Sequence, residues 1–266
     1  IMMRRWSLDC NLAPAFLVFG LLFFLLALEK HPAFYLLSAL AYGLCLYCYA
    51  LMWIVVPVIL LLQICYALLM KRARITWYTT GFVLIVGLLA LPLLVLNVVN
   101  HYWIPEIKTA LFSIPELASW RSGDLSAANL TNLASFTRLF NMLGTQQDGW
   151  IRSGFSQFGF YYLFSVPFMI IGLVSVVHGC AVKIRRREHA PEFYALVQVF
   201  AAVLVALLLR EINANRVNAI HIPLILLCAV GVREVLGLNW KLAGKAVIAL
   251  YCVSFLAFTG YYFGEG

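Results

Sequence analysis

Residues 211–223, EINANRVNAIHIP, form a short polar segment between two strongly apolar runs. Within it, Arg216 offers a planar guanidinium that can bind two phosphate oxygens at once. Asn218 directly precedes a predicted helix whose first turn contains His221, and a helix N-terminus favours an anion. The pattern predicts a phosphate-binding site at Arg216, Asn218 and His221. The alternative is a simple polar turn between two helices.

A second polar cluster lies near the start of the chain, in MMRRWSLDCN at residues 2–11. Arg5 and Asp9 are one helical turn apart and can therefore face the same side. An acid beside an arginine at the membrane edge can bind a phosphate, or can orient a metal or a substrate hydroxyl. The alternative is an ordinary helix start, in which Arg5 reaches the headgroups and Asp9 caps the helix.

A third cluster is TQQDGWIRSGFSQFGFYY, residues 145–162. Asp148 and Arg152 are spaced to pair on one helical turn, and Tyr161 belongs to an aromatic run that enters the next apolar segment. Aromatic residues also accumulate at a bilayer boundary without binding any ligand. Asp148, Arg152 and Tyr161 are therefore secondary candidates for the site.

Composition defines the elements that must position these clusters. Hydrophobic residues make up 64% of the chain and charged residues only 11%, with a mean hydropathy of +0.93. Such values are typical of integral membrane proteins, and apolar runs of about 18 residues can cross about 30 Å of hydrocarbon. We predict an all-α, polytopic transmembrane helix bundle that forms one domain over residues 1–266. The predicted spans are residues 12–28, 34–50, 52–70, 78–98, 161–181, 193–210, 219–237 and 246–263.

The distribution of Lys and Arg predicts the orientation of the bundle. Basic residues are concentrated at 71–74 and 183–187, and such residues mark cytoplasmic loops. The three polar clusters then lie outside, together with a long segment at 99–160 that carries short surface helices such as LTNLASFTRLFNML. Basic loops facing anionic membrane lipids account for much of the net charge of +8, so no nucleic-acid partner is expected.

Cysteine and histidine give little indication of chemistry. The chain has seven cysteines, and most lie in or beside apolar spans, where a thiol behaves as a small apolar group. The CLYC motif at 45–48 has redox spacing, but its position inside a predicted span favours packing. The five histidines are scattered and do not form a close pair with metal-ligand spacing.

Two stretches resemble a known family. MMRRWSLDCNLAPAFLVFG resembles the start of an outer span in bacterial GT-C class membrane glycosyltransferases, which include protein O-mannosyltransferases and aminoarabinose lipid A transferases. Arg5 and Asp9 match the short Arg–Asp motif of that family. NRVNAIHIPLILLCAVGV is similar to a later motif, in which an arginine precedes prolines at the start of an outer helix. The resemblance covers most of the chain.

The resemblance implies transfer of a sugar from a polyprenyl-phosphate donor to an acceptor, at the extracytoplasmic face of a bacterial plasma membrane. It implies an inverting mechanism in which Arg216 binds the donor phosphate and Asp9 lies near the acceptor or a divalent metal. The main catalytic acid of the family lies in a first external loop, which would precede residue 1. We therefore expect the chain to be a fragment that is inactive alone.

Two other classes of protein fit the same composition. A transporter or lipid-linked-sugar flippase without transferase activity would also place polar residues beside a membrane cavity, and a structural subunit would need no site. Transporters usually carry charges near the bilayer midplane and often have internally repeated halves. Gln63 and Asn97 are among the few polar residues within the predicted spans, and the two halves show no repeat. These features favour the transferase.

Overall fold

The computed structural model describes residues 9–73, 75–102, 105–108, 113–117, 125–149, 157–238 and 241–264, without the side chains of residues 9 and 241–243. Within these ranges the chain is mainly α-helical. Its α-helices are α1 Ala13–Glu29, α2 Phe34–Cys48, α3 Met52–Leu69, α4 Trp77–His101, α5 Leu133–Thr145, α6 Ser165–Arg185, α7 Glu192–Leu208, α8 His221–Gly237 and α9 Lys241–Gly264.

A helix occupies each of the eight predicted spans, but only six helices in the described ranges are long and apolar enough to cross a membrane. These six candidate spans are Cys10–Glu29, Met52–Leu69, Trp77–His101, Ser165–Arg185, Asn218–Gly237 and Gly244–Gly264. Helices α2 and α7 are apolar but have only 15 and 17 residues. The chain is thus an integral membrane protein by the length and composition of its helices.

The chain divides into two compact units. The N-terminal unit comprises Asp9–Asn132 and Leu207–Glu211, and it contains α1 to α4. The C-terminal unit includes the described residues of 133–206 and 212–264, and it contains α5, α6, α8 and α9 with most of α7. Five of the predicted site residues belong to the C-terminal unit, namely Asp148, Tyr161, Arg216, Asn218 and His221.

Close packing and paired polar groups hold the N-terminal unit together. Gly20 of α1 lies against the ring of Tyr42 of α2, and a Cβ atom at Gly20 would lie 2.7 Å from that ring. Ser38 Oγ donates to the Gly20 carbonyl oxygen at 2.8 Å, and Tyr42 Oη donates to Gln63 Oε1 at 3.1 Å. Polar groups in an apolar bundle need such internal partners because lipid supplies none.

In the C-terminal unit, α6 and α8 pack against each other at two glycines. A Cβ atom at Gly172 would collide with the carbonyl oxygen of Leu227, and one at Gly231 would collide with that of Phe168. Small residues at matching positions let two helix backbones approach closely, which favours helix association in membranes. Since α8 begins at His221, this contact fixes the helix that carries the polar segment 211–220 at its start.

In the described residues of the segment after α4, up to residue 160, regular structure consists of one α-helix, a 3-10 helix at Ala127–Thr131 and two short strands. Strands β1 (Ile107–Lys108) and β2 (Ser113–Ile114) pair antiparallel, with Ile107 opposite Ile114. Helix α5 confirms the predicted helical piece, and its buried residues Leu139 and Met142 lie on one face. Residues 103–104, 109–112, 118–124 and 150–156 lie outside the described ranges.

Candidate functional site

Five of the eight predicted site residues have described side chains. Arg5 and Arg152 lie outside the described residues, and the backbone of Asp9 begins a short 3-10 helix, Asp9–Leu12, while its side chain is not described. The other five belong to one unit, the C-terminal one. They are Asp148, Tyr161, Arg216, Asn218 and His221.

Two clusters that are far apart in the sequence contact each other in this unit. Asp148 Oδ2 accepts a hydrogen bond from the backbone N–H of Ala214 at 2.9 Å. The phenol of Tyr161 forms a hydrogen bond with His221 Nδ1. The segment after α5 and the segment before α8 are therefore joined at two points, and together they form one site.

His221 is engaged at both ring nitrogens. Its Nε2 lies 3.2 Å from the carbonyl oxygen of Ala214, which can only accept, so Nε2 carries the proton and donates. Nδ1 is then the acceptor for the hydroxyl of Tyr161. In its neutral form the imidazole ties Tyr161 to the loop before α8, so this side chain positions the loop.

The loop itself is a tight turn that continues into the helix. Asn213 Oδ1 accepts from the backbone N–H of Arg216 at 2.9 Å, and the Asn213 carbonyl accepts from Val217 N–H at 3.1 Å. A 3-10 turn, Asn218–Ile220, then leads directly into α8. Asn218 is buried within this turn, whereas the side chain of Arg216 is only half-buried. Of the two, Arg216 is therefore the more accessible to a ligand.

Tyr161 is fixed from the other side as well. Its backbone N–H donates to Gln146 Oε1 at 2.9 Å, and its carbonyl accepts from Ser165 Oγ at 2.5 Å. Burial raises the pKa of the Tyr161 phenol above its ordinary range, so the group stays protonated and can donate to His221. The result is a hydrogen-bonded frame that joins Tyr161 to Gln146, Ser165 and His221.

An aromatic cluster lies beside this frame, and the sequence analysis missed its contribution from α9. The ring of Phe158 contacts Phe258 at a centroid distance of 5.4 Å and Tyr261 at 5.9 Å. The ring of Tyr251 contacts that of Phe164 at a centroid distance of 4.8 Å, and its hydroxyl donates to Ser165 Oγ at 2.8 Å, because the proton of Ser165 is already donated to the Tyr161 carbonyl. The spacing of aromatic residues at 251, 258 and 261 places them near one face of α9, which is the signal that could have identified them.

Metal binding has no donor set among the residues whose side chains are described. In that part of the chain, no group of three or more His, Cys, Asp or Glu side chains is arranged to hold a metal ion. The cysteines of the described ranges are all free thiols, and four of the seven are buried in the helices or at their ends. The predicted metal or acceptor side, Arg5 and Asp9, involves side chains outside these ranges.

Comparison with protein-family models, with curated proteins and with solved structures finds no match for this chain.

Proposed function

We propose that the chain is part of a membrane glycosyltransferase, which moves a sugar from a polyprenyl-phosphate donor to an acceptor at the extracytoplasmic face. The observation that supports this most directly is the fixed loop before α8. Asp148, Asn213 and His221 hold its backbone, and the loop presents half-buried Arg216 at the start of a candidate membrane span. Arg216 is the group that binds the donor phosphate.

The physical argument concerns where such a donor must lie. A polyprenyl tail stays in the lipid, so the sugar-phosphate bond is held at the membrane boundary. As the sugar leaves, negative charge develops on the phosphate, and a fixed guanidinium stabilises that charge without reorganising. The N-terminus of α8 adds a favourable dipole at the same place. The aromatic cluster of Phe158, Phe258 and Tyr261 supplies an apolar surface for the tail.

The proposal includes a topology of eight spans. Helices α2 and α7 cross the membrane with the help of flanking residues, and the bilayer thins locally to match their length. Basic residues at 71–74 and 183–187 then lie in the cytoplasm, and segment 99–160 lies outside. In this arrangement Arg5 and Asp9 belong to the acceptor side, where Asp9 acts as a general base or holds a divalent metal.

Binding of a lipid phosphate tests the role of Arg216. We would measure the affinity of the purified chain, in nanodiscs, for decaprenyl phosphate and for decaprenol. Replacing Arg216 by Ala removes charge-assisted hydrogen bonds, and we expect affinity for the phosphate to fall about 10- to 100-fold. Arg233→Gln, at the far end of the same helix, is the matched control and should bind normally. Equal affinity of the wild-type chain for decaprenol, or normal binding by Arg216→Ala, contradicts the proposal.

A flippase would bind the same donor but would leave its sugar in place. Membranes that contain the protein and are loaded with a labelled polyprenyl-phosphate sugar separate the two functions. Release of free polyprenyl phosphate with an acceptor present supports the transferase. Movement of the intact donor between leaflets without any loss of sugar supports the flippase.

A further inference from the structure

The N-terminal unit contains an apolar groove that is distinct from the site around Arg216. Its volume is about 370 Å³, within the range of small-ligand sites, and residues of α1 to α4 and of the turn after α3 line it. Phe24, Tyr35 and Phe82 form its floor and contact one another edge-to-face, at centroid distances of 5.7 to 6.4 Å. Leu68 and Val83 belong to its walls.

Two cations lie in the short chain segment that joins residues lining this groove. Lys71 and Arg72 lie in the turn that follows α3, between Leu68 and Ala73, which both line the groove. The turn is well defined, because the backbone N–H groups of Lys71 and Arg72 donate to carbonyls of the last turn of α3 at 2.9 Å. Both side chains are exposed, and an exposed acid, Glu29, ends α1 in the same unit. The turn itself carries only positive charge.

Neighbouring residues indicate that the groove opens at the level of the lipid headgroups. Ile75 is 89% exposed and Trp77 is 67% exposed, directly after the basic turn. The ring of Trp77 stacks on that of Tyr78 at 3.8 Å. Trp and Tyr concentrate at the boundary between hydrocarbon and water, whereas an exposed Ile at this place faces lipid. Basic pockets at such a boundary are suited to anionic headgroups.

We propose that this groove binds one acyl chain of an anionic phospholipid, with the lipid phosphate on Lys71 and Arg72. The apolar floor excludes the headgroup and accepts the chain. The two cations distinguish an anionic lipid from a zwitterionic one, because the latter carries its own positive charge beside the phosphate. The site does not depend on the proposed glycosyl transfer, since none of its residues belongs to the C-terminal unit.

Native mass spectrometry tests the headgroup. The full chain is released from nanodiscs that contain equal amounts of phosphatidylglycerol and phosphatidylcholine, and the retained lipid is identified. We expect about tenfold preference for phosphatidylglycerol in the wild-type chain. Lys71→Asn with Arg72→Gln should abolish the preference, and asparagine suits the left-handed backbone of Lys71, φ 53°. The control is Arg185→Gln with Arg186→Gln, which removes the same amount of positive charge at the end of α6. This control should keep the preference for phosphatidylglycerol.

A second pair of variants tests the acyl-chain part of the groove. Val83→Trp fills the groove and should prevent retention of either lipid, whereas Leu94→Trp, on the same helix and similarly exposed, should not. Equal retention of both lipids by the wild-type chain overturns the proposal. So does loss of the preference in the α6 control, which would show that overall charge attracts the lipid. Detection of a dimer without bound lipid, and loss of that dimer in Val83→Trp, would also overturn the proposal. The groove would then be occupied by a second copy of the chain.

Discussion

Replacing Gly231 by Ala should separate α6 from α8 and destabilise the C-terminal unit. The added Cβ atom would collide with the carbonyl oxygen of Phe168, and the reciprocal atom at Gly172 would collide with that of Leu227. A flexible side chain could rotate away, but a carbonyl within a helix cannot. The two helices must therefore move apart along the contact.

The size of the effect follows from two opposing contributions. Overpacking typically costs about 1–3 kcal/mol, and a clash between backbones belongs near the upper end of that range. Alanine favours a helix over glycine by about 1 kcal/mol. We expect Gly231→Ala to lose about 2 kcal/mol of stability. Combining it with Gly172→Ala should cost less than the sum, because one displacement relieves both clashes.

Unfolding of the purified chain by SDS in mixed micelles, followed by circular dichroism, measures this loss. Gly260→Ala in α9 is the matched control, because a Cβ atom there would meet nothing within 4 Å. It should be neutral or slightly stabilising. Unfolding of Gly231→Ala at the same SDS fraction as Gly260→Ala would contradict the close approach of the α6 and α8 backbones. We also expect weaker decaprenyl phosphate binding, since α8 carries the loop of Arg216 at its start.

Three other predictions concern the frame around the loop. Tyr161→Phe should cost about 1–3 kcal/mol, because it leaves a buried ring nitrogen of His221 without a donor, and an unchanged unfolding midpoint would refute this. Because the pKa of Tyr161 is raised, its contribution should stay constant between about pH 6 and 9 and shrink above about pH 10, where the unfolded phenol ionises. The difference in free energy of unfolding between the wild type and Tyr161→Phe, measured across that pH range, tests this dependence. A difference that grows above about pH 10 would contradict it. Asp148→Asn should accelerate amide hydrogen exchange at Ala214, and unchanged protection there would show that the carboxylate does not hold the loop.

Helix positions could be predicted closely from apolar runs, but some ends could not. The predicted span at 52–70 is α3, Met52–Leu69, and the one at 219–237 is α8, His221–Gly237. The span predicted at 161–181 instead begins at Ser165 and ends at Arg185. Tyr162 adopts a left-handed backbone and keeps the aromatic run out of the helix, while the basic residues at the other end suit a helix C-terminus.

The residue types of the site could be predicted, but their partners could not. Asp148 and Ala214 are 66 positions apart, and periodicity carries no information about such pairs. The spacing predicted that Asp148 pairs with Arg152, and this stays a prediction because Arg152 lies outside the described residues. The structure adds a partner that spacing did not indicate, the backbone N–H of Ala214. His221 was predicted to bind phosphate, and its two ring nitrogens instead have partners within the protein. Backbone groups compete for polar side chains, and a sequence pattern does not show which side chains they occupy.

The two interpretations of the polar segment, a turn and a binding site, describe different residues of the same loop. At the edge of an apolar bundle, backbone groups of a loop must find partners within the protein, and Asp148, Asn213 and His221 supply them. Arg216 contributes to that turn through its backbone N–H, which any residue except proline provides. The geometry of the turn therefore does not require arginine at this position. Arg216→Ala therefore keeps the hydrogen bond from its backbone N–H to Asn213. An unfolding midpoint in SDS equal to that of the wild type would show that any loss of lipid-phosphate binding comes from the guanidinium itself.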